Sequence, residues 1–212
     1  MSEESNKKRD KLKSYVQTVV FILVVSAVFT ALLAAANAAA QPKIRENTLL
    51  EERRALLSVF ALDTTGSSSE IFSRFDENIQ PAQSAGLDLY VQVDKQGQLQ
   101  GYAIPFGGPG LWGMIEGYLG VSADRQTILG LVFTAQNETP GLGGRIEEPW
   151  FRDQFRGLKI QPGTELKFGV TDDGQQLDAI TGATSTSKAV LKILNPLFDQ
   201  TISQLEEVVP GE

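Results

Sequence analysis

Leu177-Asp178-Ala179-Ile180-Thr181-Gly182-Ala183-Thr184-Ser185-Thr186-Ser187-Lys188 is the stretch on which the reading of this chain turns. An acidic residue and a short apolar pair lead into Thr-Gly-Ala-Thr and a run of hydroxyls, and Lys188 to Leu194 reads as a helix. Small residues let a ligand come close to the backbone, while the first amides of a helix point outward without intrahelical partners and suit a phosphate. Taken bare, the stretch predicts a phosphate site at a helix start.

Three hairpin-like units lead up to it. Leu87 to Val93 alternates apolar and polar residues and turns at Asp94-Lys95-Gln96-Gly97 into Leu99 to Phe106. Met114 to Ala123 turns at Asp124-Arg125-Gln126 into Thr127 to Ala135, whose run Ile128 to Phe133 has the composition of a strand buried on both faces. Glu165 to Thr171 turns at Asp172-Asp173-Gly174 toward the opening stretch. An α+β fold centred on an antiparallel sheet is therefore expected. Gln80 to Gly86 reads as a loop, and Ser69 followed by Ile71, Phe72 and Phe75 as a short capped helix. Pro149-Trp150-Phe151 opens another, with Trp150, Phe151 and Phe155 on its packing face. After the stretch, Ala189, Val190, Ile193, Leu194 and Leu197 fall at helical spacing, and Pro196 is expected to kink or restart that helix.

Two glycine-rich loops lie between the hairpins, Phe106 to Gly113 and Glu138 to Gly144. Either alone is an ordinary tight connection. Together with the Thr-rich turn they point to one shared cavity, with the glycines admitting a ligand.

At the other end of the chain, Ser14 to Gln41 holds no charged residue. About 28 residues at a 1.5 Å rise cover ~40 Å, enough to cross a bilayer. Lys7, Lys8, Arg9, Lys11 and Lys13 precede this run, so the positive-inside rule keeps the N-terminus in the cytoplasm and exports the rest. A cleaved leader competes, since Ala36-Asn37-Ala38 fits a small-x-small site, but the apolar run exceeds the roughly 7 to 15 residues of a leader core. A retained anchor is the expectation. Gln41 to Leu62 then continues as an amphipathic helical stalk, interrupted near Pro42. The organisation read from these signals is a basic tail (1–13), an anchor (14–41), a stalk and helix (42–86), the exported domain (87–207) and a tail (208–212).

Composition narrows the chemistry. The chain has 212 residues with no Cys and no His, which removes disulfides, thiolate-held clusters, ordinary zinc sites and His or Cys nucleophiles. No metal site is expected. Residues 1–13 are net positive by two against a total of −7, so the remainder carries −9 and lacks the basic stripe that nucleic acid requires. Paired carboxylates among Asp172, Asp173 and Asp178 are conceivable catalysts, but Asp172-Asp173-Gly174 is better explained as a turn. A Thr or Ser nucleophile would have only Lys188 as base. No catalytic residue is assigned.

Asp178-Ala179-Ile180-Thr181-Gly182-Ala183-Thr184 resembles the flavinylation motif of FMN-binding domains. The resemblance extends to the N-terminal anchor, to Gly110-Leu111-Trp112 and to Glu138-Thr139-Pro140-Gly141-Leu142-Gly143, all in family order. It implies one covalent FMN, joined by a phosphoester to Thr184, with Thr181, Gly182 and Ala183 around it, Lys188 helping to offset the phosphate, and Asp178 in the pattern read by a flavin transferase. Thr139, Gly141 and Leu142 would belong to the isoalloxazine site.

The family includes NqrC of the sodium-translocating NADH:quinone reductase and RnfG of the Rnf complexes. The resemblance therefore implies an electron carrier in the inner membrane, with its FMN domain in the periplasm and the other subunits of such a pump as partners. Ubiquinone and NAD would belong to the whole complex: no strand–GxGxxG–helix setting is visible, so NADH is expected to be oxidised elsewhere. Gly110-Leu111-Trp112 and Gly143 to Pro149 look more like NqrC. The chain is short for it, which leaves RnfG, or a periplasmic carrier outside the pumps, as the alternative.

Overall fold

The structure, a computed structural model, describes residues 2–161, 163–170 and 176–205, and the side chains from residue 13 onward. The expected turn at Asp172-Asp173-Gly174 and the tail 208–212 lie outside the described residues. The chain divides into two compact units, residues 1–49 and 50–212.

Helix α1, Ser2–Val59, runs through the first unit and ends in the second. Within the first unit it presents Val, Leu, Ile and Phe side chains that are more than half exposed, among them Phe21, Leu23, Phe29 and Leu33. It is long and apolar enough to cross a membrane. Exposed apolar side chains around a helix are stable in hydrocarbon and not in water. Contrary to the expected interruption, α1 continues through Pro42. A proline removes one ladder donor, and here long helical runs on both sides hold the backbone.

The second unit is built on a five-stranded antiparallel meander in the order β1-β2-β3-β4-β5. Its strands are β1 (Ile79–Ser84), β2 (Leu87–Val93), β3 (Leu99–Pro109), β4 (Met114–Ser122) and β5 (Ile128–Ala135). The hairpin signals in the sequence correspond to β2–β3 and β4–β5. Asp94 closes the first turn by accepting the amides of Gln96 at 2.9 Å and Gln98 at 2.8 Å. Strand β1 replaces the expected loop. It pairs with β2 along its whole length, and Pro81 is accommodated because an edge strand has one face of its ladder free.

Alternation sends side chains to both faces of this sheet. On one face Tyr102, Ile104, Phe106, Ile115, Leu119 and Val121 meet α4 (Thr184–Gln200) and the aromatic pair Phe151 and Phe155. On the other, Ala103 and Val132 meet Leu56, Leu57, Val59 and Phe60 from the end of α1, with Ile71 and Phe75 of α2 (Ser68–Asn78). The helix end seats on the cross-strand pair Gly120 and Gly130: a Cβ on Gly120 would stand 2.3 Å from Val59 Cγ1, and one on Gly130 2.3 Å from the Val59 carbonyl oxygen. Glu52 adds a polar latch on this face, accepting the hydroxyls of Tyr90 at 3.3 Å and Tyr118 at 3.0 Å. The cap of α2 is Ser67 rather than Ser69, with a reciprocal capping box to Glu70.

Helix α3, Pro149–Asp153, buries Phe151 and, just beyond it, Phe155, but leaves Trp150 42% exposed. Positions four apart share a helix face and the neighbouring one does not, so Trp150 turns outward and donates its indole N–H to Glu148. The two-residue strands β6 (Gly169–Val170) and β7 (Gln176–Leu177) pair antiparallel and deliver the chain to α4. That helix is continuous through Pro196. Ser187, Val190, Leu191, Leu194 and Phe198 are buried on both sides of the proline, and their packing outweighs the lost backbone bond.

Candidate functional site

The start of α4 is reached through a tight turn. Ala183 donates its amide to the Ile180 carbonyl at 2.9 Å, and Gly182 takes the positive φ of 82° that the third position of such a turn requires. Ser187 fastens the turn from inside the helix: its hydroxyl donates to the Ala183 carbonyl and accepts the Ile180 amide, both at 3.0 Å. Ile180, Ala183, Thr186 and Ser187 are buried, whereas Thr181, Gly182, Thr184, Ser185 and Lys188 are exposed.

Thr184 is the first helical residue, and the residue before it, Ala183, has no side chain with which to cap the helix. No side-chain hydrogen bond caps this N-terminus among the described residues. Outward-pointing amides and an exposed hydroxyl thus share one helix end. Lys188 lies four residues on, over the same face.

Asp178 stands upstream of the turn and is exposed. Its backbone is pinned by Gln154, which accepts the Asp178 amide at 2.7 Å and donates to its carbonyl at 3.1 Å. Its carboxylate accepts from Gln176 Nε2 at 2.9 Å.

The loop after β5 packs beside the turn. Thr139, Gly141 and Leu142 are all exposed, and the Thr139 carbonyl accepts the amides of Leu142 and Gly144, both at 3.1 Å. Leu142 reaches the turn: a Cβ on Gly182 would lie 3.3 Å from Leu142 Cδ2. The structure therefore brings Thr139–Leu142 and Thr181–Thr184 to one place.

A third segment joins them. The loop between β3 and β4 is closed by the Gly110 amide on the Gly113 carbonyl at 2.7 Å, and it presents Leu111, 56% exposed, and Trp112, 70% exposed. What ties it in is Glu138, a side chain missed as a site residue in the sequence. It is 4% exposed; Oε1 accepts the amides of Leu111 at 2.7 Å and Trp112 at 3.0 Å, and Oε2 accepts the Thr186 hydroxyl at 2.6 Å. This also corrects the reading of two glycines. A Cβ on Gly110 would come within 2.5 Å of Glu138 Oε1, and one on Gly143 within 2.8 Å of Oε2 and 2.6 Å of Thr186 Oγ1. Those glycines make room for a buried carboxylate rather than for a ligand. The signal for Glu138 was its place as an acidic residue heading a glycine-rich loop, but no spacing in the sequence says which way it points.

Around the Thr184 helix start the domain thus exposes apolar side chains, Leu111, Trp112 and Leu142, on a backbone that is held from behind. Among the described residues no cluster of His, Cys, Asp or Glu could hold a metal ion. The arrangement suits a ligand with an anionic end and a flat apolar body.

The model of the FMN-binding domain family matches residues 110–198, which include all three segments. The G component of an ion-translocating oxidoreductase complex from Methanosarcina acetivorans is 30% identical over 192 residues, covering 91% of this chain and 97% of the relative. The C component of the Na(+)-translocating NADH-quinone reductase from Pasteurella multocida is 38% identical over 109 residues, covering 49% of this chain. That match spans only 42% of the length of the relative. Among solved structures, the C component of the same type of reductase from Parabacteroides distasonis superposes with a TM-score of 0.58 at 29% identity, covering 74% of this chain and 92% of that one.

Proposed function

The chain belongs to the FMN-binding domain family, and from that membership we propose that it is a membrane-anchored electron carrier whose FMN is held covalently through Thr184. FMN supplies one-electron and two-electron steps, and the protein supplies position and electrostatics. The observation that carries the covalent reading is the exposed Thr184 hydroxyl at an uncapped helix start.

The residues present fit the group. A phosphodiester on Thr184 Oγ1 would keep one negative charge, which the free amides of α4 and the Lys188 ammonium group stabilise. Gly182 leaves the approach open, and Thr181 lines it. Leu111, Trp112 and Leu142 provide exposed apolar surfaces for a flat ring, with Thr139 and Gly141 exposed on the same loop as Leu142. Asp178, exposed and braced by Gln154, belongs to the surface that a flavin transferase reads.

Partners follow from the relatives. The chain acts within a redox-driven ion-translocating oxidoreductase, receiving electrons from one neighbouring subunit and passing them to another. Membership of the sodium-translocating NADH:quinone reductase, in the place of NqrC, is supported by the 38% identity over 109 residues. A second reading, RnfG, is favoured by one observation: the alignment with the G component of the ion-translocating complex runs nearly end to end. In either complex α1 anchors the chain in the inner membrane with the basic tail in the cytoplasm and the FMN domain in the periplasm.

Co-expression with a flavin transferase, followed by a denaturing gel under ultraviolet light and intact mass, tests the cofactor linkage. A fluorescent band with the added mass of an FMN phosphoester is expected. No band, or a band that survives Thr184→Ala, would sink it. The genes flanking this one separate the two complexes, since the components of a pump share an operon.

A further inference from the structure

A covalent tether on Thr184 fixes the phosphate and not the ring, because the sugar-alcohol chain between them is a run of rotatable single bonds. Something else must decide where the ring rests. Of the side chains available to it, Leu111 and Trp112 are 56% and 70% exposed, so little packing holds them from the solvent side. Their backbone is held instead, and the group that holds it is Glu138.

Both oxygens of this carboxylate are engaged. Oε1 takes two consecutive amides, Leu111 and Trp112, and Oε2 takes the Thr186 hydroxyl, two residues after Thr184 on the same helix turn. Segments more than 70 residues apart in sequence therefore meet on a single side chain. The space it occupies is kept clear on both sides by Gly110 and Gly143. We propose that Glu138 is a positioning residue for the flavin: it sets the distance between the Leu111–Trp112 wall and the helix start that carries the tether, and so clamps the ring. This rests on the flavin reading above.

The chemistry of the three contacts separates a clamp from a charge. All three partners are donors, and an ionised carboxylate accepts from each. Glutamine at this position keeps the same shape. Its amide oxygen accepts the two backbone amides, and its NH2 donates to a Thr186 hydroxyl rotated to accept. Alanine satisfies none of the three and leaves buried donors without partners. A clamp survives Glu138→Gln and fails in Glu138→Ala.

The test uses the full-length chain in detergent as wild type, Glu138→Ala, Glu138→Gln and Thr186→Val. Made with the transferase, each is examined for the vibrational fine structure of the flavin's visible absorption band. Made without it, each is examined in a Trp150→Phe background, where Trp112 is the remaining tryptophan, by time-resolved fluorescence anisotropy. The expected results for Glu138→Ala are loss of the band's fine structure and loss of slow anisotropy decay at Trp112, both restored by Glu138→Gln. Thr186→Val, which removes only the helix side of the clamp, should lose the fine structure while Trp112 stays held. Wild-type behaviour of Glu138→Ala in both measurements would overturn the proposal, as would a Glu138→Gln protein that behaves like the alanine variant. Should Glu138→Ala fail to fold, Thr186→Val and Glu138→Gln decide: a sharp band in the former or a broadened one in the latter rejects the clamp. If the wild type itself takes no flavin, the cofactor reading fails, and the anisotropy of Trp112 still decides what Glu138 holds.

Discussion

The amide of Ile180 donates to the side-chain oxygen of Ser187 at 3.0 Å, across seven residues and with both partners buried. The turn bearing Thr181 and Gly182 and the first turn of α4 are thereby one rigid piece, and Thr184 sits at their junction. Ser187→Ala removes the acceptor and leaves a buried amide unpaired, at a cost of about 1–3 kcal/mol. Chemical denaturation should show that loss. The yield of flavin attachment at Thr184 should fall with it.

Two glycines in one loop should respond differently to alanine. Gly141 has a φ of 74° and open space around a would-be Cβ, so Gly141→Ala meets only backbone strain of about 1–2 kcal/mol. Gly143 is buried, and a Cβ there would run into Thr186 Oγ1 and the Glu138 carboxylate. Overpacking of this kind costs about 1–3 kcal/mol and displaces its neighbours. Denaturation midpoints are expected to fall for both, while only Gly143→Ala should alter the environment of Trp112.

Alkaline stability should depend on the contact between Glu52 and Tyr118. Burial first, then the Glu52 carboxylate, push the Tyr118 hydroxyl far above the ordinary tyrosine range, and Tyr90 is raised for the same reasons. A raised folded value means that the folded state favours the protonated phenol. The resulting stability is fully present below the unfolded value of 10.0 and is lost as pH rises from there toward the folded value. Tyr118→Phe should flatten the fall in melting temperature above that pH; an unchanged slope would contradict the assignment.

On the acid side the capping box of α2 gives the opposite sign. The Ser67 backbone amide first, and then its hydroxyl, hold the Glu70 carboxyl below its usual value of 4.5. The stability this contributes is present above that value and disappears as pH falls through the lower folded one. Glu70→Gln should therefore lower the melting temperature by a constant offset at neutral and alkaline pH and remove part of the pH dependence below that value. Melting curves across the acid range provide the check.

Much of this protein could be read residue by residue. The uncharged run from Ser14 to Gln41 announces a membrane span because hydrocarbon tolerates nothing else over that length. The β2–β3 and β4–β5 hairpins follow from alternation and turn residues, which are local properties. The Thr-Gly-Ala-Thr run was legible for a similar reason, since a turn into a helix is written in neighbouring residues.

What the sequence could not express is pairing at a distance. Strand β1 reads as a loop because Pro81 and its polar neighbours are acceptable only at an edge, and whether a segment is an edge depends on the whole sheet. Pro196 reads as a break because the packing that carries α4 through it comes from other elements. Trp150 reads as core, and a five-residue helix turned by Phe151 and Phe155 sends it outward. Local residue types determined by themselves an apolar run long enough to cross a membrane, the antiparallel hairpins and a helix after the Thr-rich turn, whereas the structure starts that helix at Thr184 rather than Lys188 and leaves Thr184 exposed. Only the tertiary structure decided that Glu138 points inward to join Leu111, Trp112 and Thr186, because a buried carboxylate's orientation is set by donors that the fold brings from distant parts of the chain.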